Sequence, residues 1–324
     1  MALAVTFGVL ALSLGGAEWW LRRGVDAEPA DPPGESATNR VHVAATVPGL
    51  AYELGRDRRT NYRGIEVVTN SRGLRDDEPR SPRAPRVFAA LGDSLTFGWG
   101  VAAHDTWPEA LQREIEATAP CEVDNYGVSG YTTLDEAAVL LRKVADGTRG
   151  VVLAYFLNDP LPESASPMHP YFRPPAWWRR SMLWRRHERS VMRDGMRANG
   201  GNLYRYLHDP AGEPWREWVN SLDELEHAAR ERGIPVLVVL MPTFHGFSSF
   251  AEYPYADLNA RVATAFQSRG FTVLDLVPAF ARNGAPPADV RVDDEHPNAV
   301  GHRIVAHAVA ERIRELGWLD GASR

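Results

Sequence analysis

The sequence predicts an α/β fold: a mostly parallel sheet covered on both faces by helices. Three observations carry the prediction. From Arg86 onward, short apolar runs alternate with segments of helical spacing, the order that strand–helix–strand units produce. The runs Val87–Leu91, Gly150–Leu157 and Ile234–Met241 are apolar throughout and do not alternate with polar residues. Strands buried on both faces have that pattern. Two helical segments stop at a glycine, Gly233 and Gly270, a residue suited to the left-handed turn that ends a helix.

The elements follow in order. Val87–Leu91 is the first strand of the sheet, and Thr106–Ala119 has helical spacing. Glu122–Tyr126 is the second strand and Thr133–Ala145 the second helix. Gly150–Leu157 is the third strand, and Trp215–Arg232 is a helix. Ile234–Met241 is the fourth and most apolar strand, followed by a helix over Tyr255–Arg269. Phe271–Leu276 is the last strand and Asn298–Leu316 the closing helix. Sheets of this kind bind ligands at the carboxyl ends of their strands. Ser94, Gly127 and Asn158 each come just after a predicted strand.

The rest of the chain divides by composition. Met1 to Ala17 carries no charge and is followed by Glu18, Trp19, Trp20, Leu21, Arg22 and Arg23. An apolar stretch ending in a Trp pair and an Arg pair is expected to be a membrane anchor or an uncleaved signal over residues 1–23. A cleaved signal peptide is the competing reading, because Gly15-Gly16-Ala17 offers small residues for cleavage, although no basic residue precedes the apolar run. Arg22 and Arg23 by themselves favour an inside C-terminal flank, against an extracytoplasmic catalytic domain at the cell membrane, which is the placement expected here. Residues 24–40, rich in Ala, Pro, Asp, Glu and Gly, read as a flexible tether. Residues 41–85 read as a small extension of short strands and turns beside a main domain over 86–318. An insertion of about residues 160–214 interrupts that domain and contains Trp177-Trp178-Arg179-Arg180 and Trp184-Arg185-Arg186-His187. Long insertions of this kind are often lids or substrate loops.

Charge and cysteine content exclude some functions. A net charge of −6 gives no basis for a nucleic-acid partner. The single cysteine, Cys121, excludes an internal disulfide framework and a Cys-rich metal site.

Two stretches 200 residues apart carry the chemistry. Gly92-Asp93-Ser94-Leu95 follows the first strand, and Asp293-Asp294-Glu295-His296-Pro297 precedes the closing helix. Serine is a poor nucleophile until a positioned base takes its proton. A His held in one tautomer by a carboxylate is such a base, and Asp293 is near enough in sequence to His296 to share its loop. Plainer roles compete with these. Ser94 could simply cap a helix, and the three acidic residues could serve the helix dipole. Both readings can hold together, with Asp294 and Glu295 serving only the helix. His302 and His307 fall on the closing helix and read as packing or surface residues. Acyl transfer also needs donors for a developing oxyanion. The Ser94 N–H, the Gly127 N–H and the Asn158 side-chain amide are the candidates, with tight turns as their alternative roles. The H-x-x-x-H and H-E-x-x-H spacings of metal sites are missing.

Ser94, Gly127, Asn158 and His296, in that order, resemble the four blocks of the SGNH or GDSL hydrolases, a family of lipases and esterases. GDSLTFGWG matches the first block, NYGVSGYTT the second and DDEHPNAVGH the fourth. The third departs from the pattern, with Phe156 where glycine is usual, but keeps Asn158 and Asp159. The anchor, the tether and the segment Asn70–Arg75 are similar to membrane-tethered bacterial members. The resemblance implies a three-layer α/β/α sandwich, flavodoxin-like in order, and a serine esterase that uses no metal or organic cofactor. It implies a triad of Ser94, His296 and Asp293 and an oxyanion hole of Ser94, Gly127 and Asn158. The substrate would be an ester, short-acyl or O-acetyl on a glycan, or else a lipid, with the Trp/Arg-rich insertion as the specificity element. An O-acyltransferase on an envelope glycan and a non-catalytic binding protein of the same fold are the alternatives.

Overall fold

The computed structural model describes residues 13–21, 32, 35–36, 40–162, 165–166, 168–172 and 181–320. Strands β5 (Val87–Gly92), β6 (Glu122–Asn125), β7 (Gly150–Tyr155), β8 (Val236–Leu240) and β9 (Thr272–Asp275) form one sheet in the order β6-β5-β7-β8-β9. Every pairing in it is parallel. β5, β7 and β8 are almost wholly buried along their length. This explains why their sequences are continuous apolar runs.

Helices α3 (Trp107–Glu116), α10 (Val277–Asn283) and α11 (Ala299–Glu315) cover one face, and their apolar side chains join a core with Phe88, Val152 and Val239. Helices α4 (Thr133–Arg142), α8 (Glu213–Arg232) and α9 (Ala256–Gln267) cover the other, around Leu91, Leu153 and Val238. The result is the expected three-layer α/β/α sandwich. α8 ends as anticipated at Gly233, with φ 62°. Its last residue, Arg232, donates to the carbonyls of Leu140, Leu141 and Val144 at the end of α4. A cation there matches the negative end of the α4 dipole.

The predicted strands and helices are present, shorter by one to a few residues at most ends. Pro235, for example, precedes β8 and contributes only its carbonyl, which accepts from Val151 N–H. Short α2 (Ser94–Phe97) and α10 had no periodic signature of their own.

Residues 41–85 form two antiparallel hairpins, β1 (His42–Ala44) with β2 (Tyr52–Leu54), and β3 (Arg59–Tyr62) with β4 (Ile65–Val68). Their apolar residues Tyr52, Leu54, Tyr62 and Val67 belong to the α4/α8-side core. The Tyr52 hydroxyl donates to the Ser129 carbonyl at 2.9 Å, and Tyr131 donates to the Tyr52 carbonyl at 2.6 Å. The extension is thereby fastened to the loop after β6.

Much of the expected tether lies outside the described residues. Within it, Glu35 is buried and paired with His42, so this part of the segment is held against the hairpins. Residues 13–21 are helical (α1), and no described helix is long and apolar enough to cross a membrane. The Glu18 carboxylate of α1 accepts from Ser181 Oγ and from the Met182 and Leu183 N–H groups. It thus caps the N-terminus of α6 (Met182–Ala198) in the insertion. Short α5 (His169–Phe172) and α7 (Leu203–Leu207) complete the described part of that insertion.

Candidate active site

β5 lies between the edge strand β6 and the central strand β7, where the strand order reverses, so a crevice opens beyond their carboxyl ends. The chain leaves β5 through Gly92 and turns at once into α2. The Asp93 carboxylate caps that helix by accepting from Leu95 N–H at 2.9 Å. The cap is therefore Asp93, and Ser94 stands in the first helical turn with its hydroxyl free for other use. Arg75 braces the far end of α2. Its buried guanidinium donates to the carbonyls of Phe97 at 2.8 Å, Gly98 at 2.6 Å and Val101 at 2.7 Å. Burial lowers its pKa to about 10.

His296 arrives from the loop before α11. Phe244 N–H and Thr243 Oγ, just after β8, both donate to the Asp294 carbonyl at 2.9 Å and hold that loop against the sheet. Ser94 Oγ and His296 Nε2 are 2.9 Å apart, and His296 Nδ1 lies 2.8 and 2.9 Å from the two Asp293 oxygens. The Asp293 carboxylate also accepts from the N–H groups of Glu295 and His296. Burial alone raises its pKa, but the hydrogen bonds from His296 and these backbone donors prevail and hold it at about 2. An ionised carboxylate only accepts, so Nδ1 carries the proton and Nε2 is left to accept from Ser94. The His296 ring stacks on Trp99, with centroids 5.4 Å apart at 26°.

Ser94, Asn158 and His296 line one cleft of about 200 Å³, together with Ser129, Gly130 and Thr132. Asp93 is fully buried below it. Burial raises its pKa to about 6, although Leu95 N–H, His296 and Asn158 each pull it down. Asp159 accepts from Thr133 Oγ at 2.8 Å, and Thr133 Oγ accepts from Trp218 Nε1 at 3.0 Å. Burial, with neighbouring acidic groups, raises Asp159 and Glu136 well above the ordinary carboxylate range.

Gly127 is a correction. Its N–H donates to Asn125 Oδ1 at 3.0 Å, and it does not line the Ser94 cleft. Its lack of a side chain serves packing: a Cβ there would lie 2.2 Å from Phe97 N and 2.5 Å from Thr96 C. Gly130, three residues on, does line the cleft, at φ 82°. No described acceptor takes its N–H. The positive φ is what turns the loop after β6 toward Ser94. The signal for it in the sequence was the Ser129-Gly130 pair, which lay inside the same block.

The acidic flank is a second correction. Asp294 pairs with Arg291 and His245, and Glu295 accepts from the Tyr204 hydroxyl. The cap of α11 is Asn298, whose side chain accepts from Val300 and Gly301 N–H. Neither acid serves the helix. His302 is buried, and its Nδ1 accepts from Trp107 N–H at 3.1 Å, while His307 is exposed beside Glu114. Trp177–Arg180 lie outside the described residues. Trp184 is exposed and tilted against His187.

No group of three or more His, Cys, Asp or Glu among the described residues is arranged to hold a metal ion. Solved structures similar to this chain include an acetylxylan esterase from Geobacillus stearothermophilus, at 18% identity and TM-score 0.45, covering 73% of this chain and 97% of that one. An alpha/beta hydrolase enzyme from the metagenome of Lake Arreo, Spain, matches at 21% identity and TM-score 0.44, with coverages of 73% and 97%. A member of the lipolytic protein G-D-S-L family from Veillonella parvula matches at 18% identity and TM-score 0.42, with coverages of 70% and 97%. No curated protein sequence matches the chain. The sequence profile of the GDSL-like lipase/acylhydrolase family matches residues 90–304, and the chain belongs to that family.

Proposed function

We propose that the protein is a serine ester hydrolase that removes a short acyl group through an acyl-enzyme. The observation that carries this reading is the unbroken line from Ser94 Oγ through His296 to the Asp293 carboxylate. Ser94 Oγ attacks the ester carbonyl as its proton passes to His296 Nε2. The C–O bond to the alcohol breaks, and His296 returns the proton to the departing oxygen. Water, deprotonated by His296, then attacks the acyl-enzyme, the acyl–serine bond breaks, and the proton goes back to Ser94.

The carboxylate of Asp293, held at about pKa 2, remains charged throughout and stabilises the imidazolium. Ser94 N–H, Gly130 N–H and the Asn158 amide are the proposed oxyanion donors. Gly130 takes the role first expected of Gly127. A cleft of about 200 Å³ suits a short acyl group better than a long one.

The test is hydrolysis of p-nitrophenyl acetate, butyrate and octanoate by the whole chain, with Ser94→Ala as control. Serine-dependent turnover falling with chain length supports the reading. Serine-dependent transfer to a glycan hydroxyl in place of water would convert it to an acyltransferase.

We propose on separate grounds that the N-terminal segment attaches the protein to a membrane. Leu14, Trp19 and Trp20 are exposed on α1, and Arg22-Arg23 follow. Recovery of the full chain in the soluble fraction would count against it.

A further inference from the structure

We infer that Arg63 forms an anion subsite on the alcohol side of the cleft, so that the preferred esters carry a negative charge on their leaving alcohol. The inference rests on the ester hydrolase reading above and names its substrate class.

Arg63 stands at the tip of the β3–β4 hairpin. Tyr62 pairs with Ile65, so the turn is the two residues Arg63 and Gly64. Both have positive φ, 49° and 88°, as a type I′ turn requires. The first position of such a turn normally goes to Asn, Asp or Gly, because other side chains are strained there. An arginine held in that conformation points to a function for its side chain.

The side chain reaches the active site. The Arg63 guanidinium lies over the Trp99 ring, 4.6 Å from its centroid, and Trp99 is also stacked on His296. Tyr62 meets Trp99 edge-on at 5.5 Å and its hydroxyl lies beside Arg63. Arg63, Trp99, Ser94 and His296 line the same cleft. Arg63 is exposed and forms no ion pair among the described residues. The guanidinium N–H groups that do not face the Tyr62 hydroxyl are therefore open to a carboxylate or a phosphate. The acidic residue that also lines the cleft, Glu295, accepts from the Tyr204 hydroxyl.

Geometry also sets the side. The carbonyl oxygen turns toward the Ser94, Gly130 and Asn158 donors. The alcohol leaves where His296 hands over its proton, and that ring is the one stacked on Trp99. A charge on the alcohol thus lies next to Arg63, and a charge on the acyl group does not.

The experiment compares three acetate esters with the full chain: 4-carboxyphenyl acetate, its neutral analogue 4-carbamoylphenyl acetate, and 4-acetoxyphenyl phosphate. Rates are normalised to spontaneous hydrolysis. We expect kcat/KM for a charged ester to exceed that of the neutral one by about tenfold, mostly through KM and less so at high salt. Arg63→Gln should bring the ratio to about one, and Arg63→Lys should restore part of it. A gain with the carboxylate alone points to an acidic sugar or similar acid, and a gain with the phosphate to a phosphorylated alcohol. Ser94-dependent turnover of the neutral ester with no charge preference, or a preference that survives Arg63→Gln, overturns the subsite alone. No Ser94-dependent turnover of any of the three overturns the hydrolase reading and the subsite with it.

Discussion

Ser94 Oγ and His296 Nε2 lie 2.9 Å apart although 202 positions separate them in the chain. The fold closes that distance by ending β5 beside the loop that precedes α11. Ser94→Ala is expected to lower p-nitrophenyl acetate hydrolysis by at least about 1000-fold. The fold should survive, because Asp93 and not Ser94 caps α2. An alanine variant with most of its activity, measured beside an unchanged thermal melt, would remove Ser94 from the chemistry.

In the proposed mechanism Asp293 orients the base and takes no proton. Asp293→Asn should cost less than His296→Ala, about 10,000-fold in kcat. It should also alter acid stability. The native pKa of about 2 lies below the unfolded value, so the unfolded chain binds more protons between about pH 4 and 2. The contribution of Asp293 is present above that window and is lost as pH falls through it. The effect is small because the side chain is half exposed. Equal kcat in the variant and the parent would show that another group orients His296.

Asp93 behaves in the opposite sense. Its native pKa of about 6 lies above the unfolded value because it is buried. Between about pH 4 and 6 the folded protein holds the extra proton, so stability falls as pH rises. Asp93→Asn keeps an acceptor for Leu95 N–H but never charges. It should therefore gain on the parent by roughly 2–3 kcal/mol as pH rises from about 4 to 6. Urea unfolding at several pH values checks this, and parallel curves would refute it.

Gly127 and Asn158 should separate fold from chemistry. Gly127→Ala drives a methyl group into the α2 backbone, and a stability loss of about 2–3 kcal/mol is expected. Asn158→Ala should leave the melt nearly unchanged and lower kcat by roughly 100-fold if its amide holds the oxyanion. The reverse pattern would exchange their roles.

Arg75 neutralises and fills the end of α2 from a segment that carries no chemistry itself. Arg75→Met leaves the carbonyls of Phe97, Gly98 and Val101 without their donor. It also removes the cost of a buried charge. Because three acceptors lose charge-assisted bonds at once, the loss should prevail, at about 2 kcal/mol. A melt unchanged by Arg75→Met would mean that water replaces the guanidinium.

The sequence by itself determined the class of the fold and singled out Ser94 and His296 as the candidate nucleophile and base. Strands buried on both faces must be apolar at every position, so β5, β7 and β8 could be read as uninterrupted runs. Ser94, Asp293 and His296 sit in short segments where residue type and spacing carry the chemistry. The proposed oxyanion donor was not legible in the same way. Gly127 and Gly130 stand in one short block, and which of them faces the cleft depends on the Asn125 side chain and on the turn at Gly130. The fate of Asp294 and Glu295 was likewise set by partners far along the chain, His245 and Tyr204. Arg63 and Trp99 belong to a hairpin and a loop that no local pattern links. Only tertiary packing lays one over the other beside His296, because long-range contacts between side chains leave no periodic trace in the sequence.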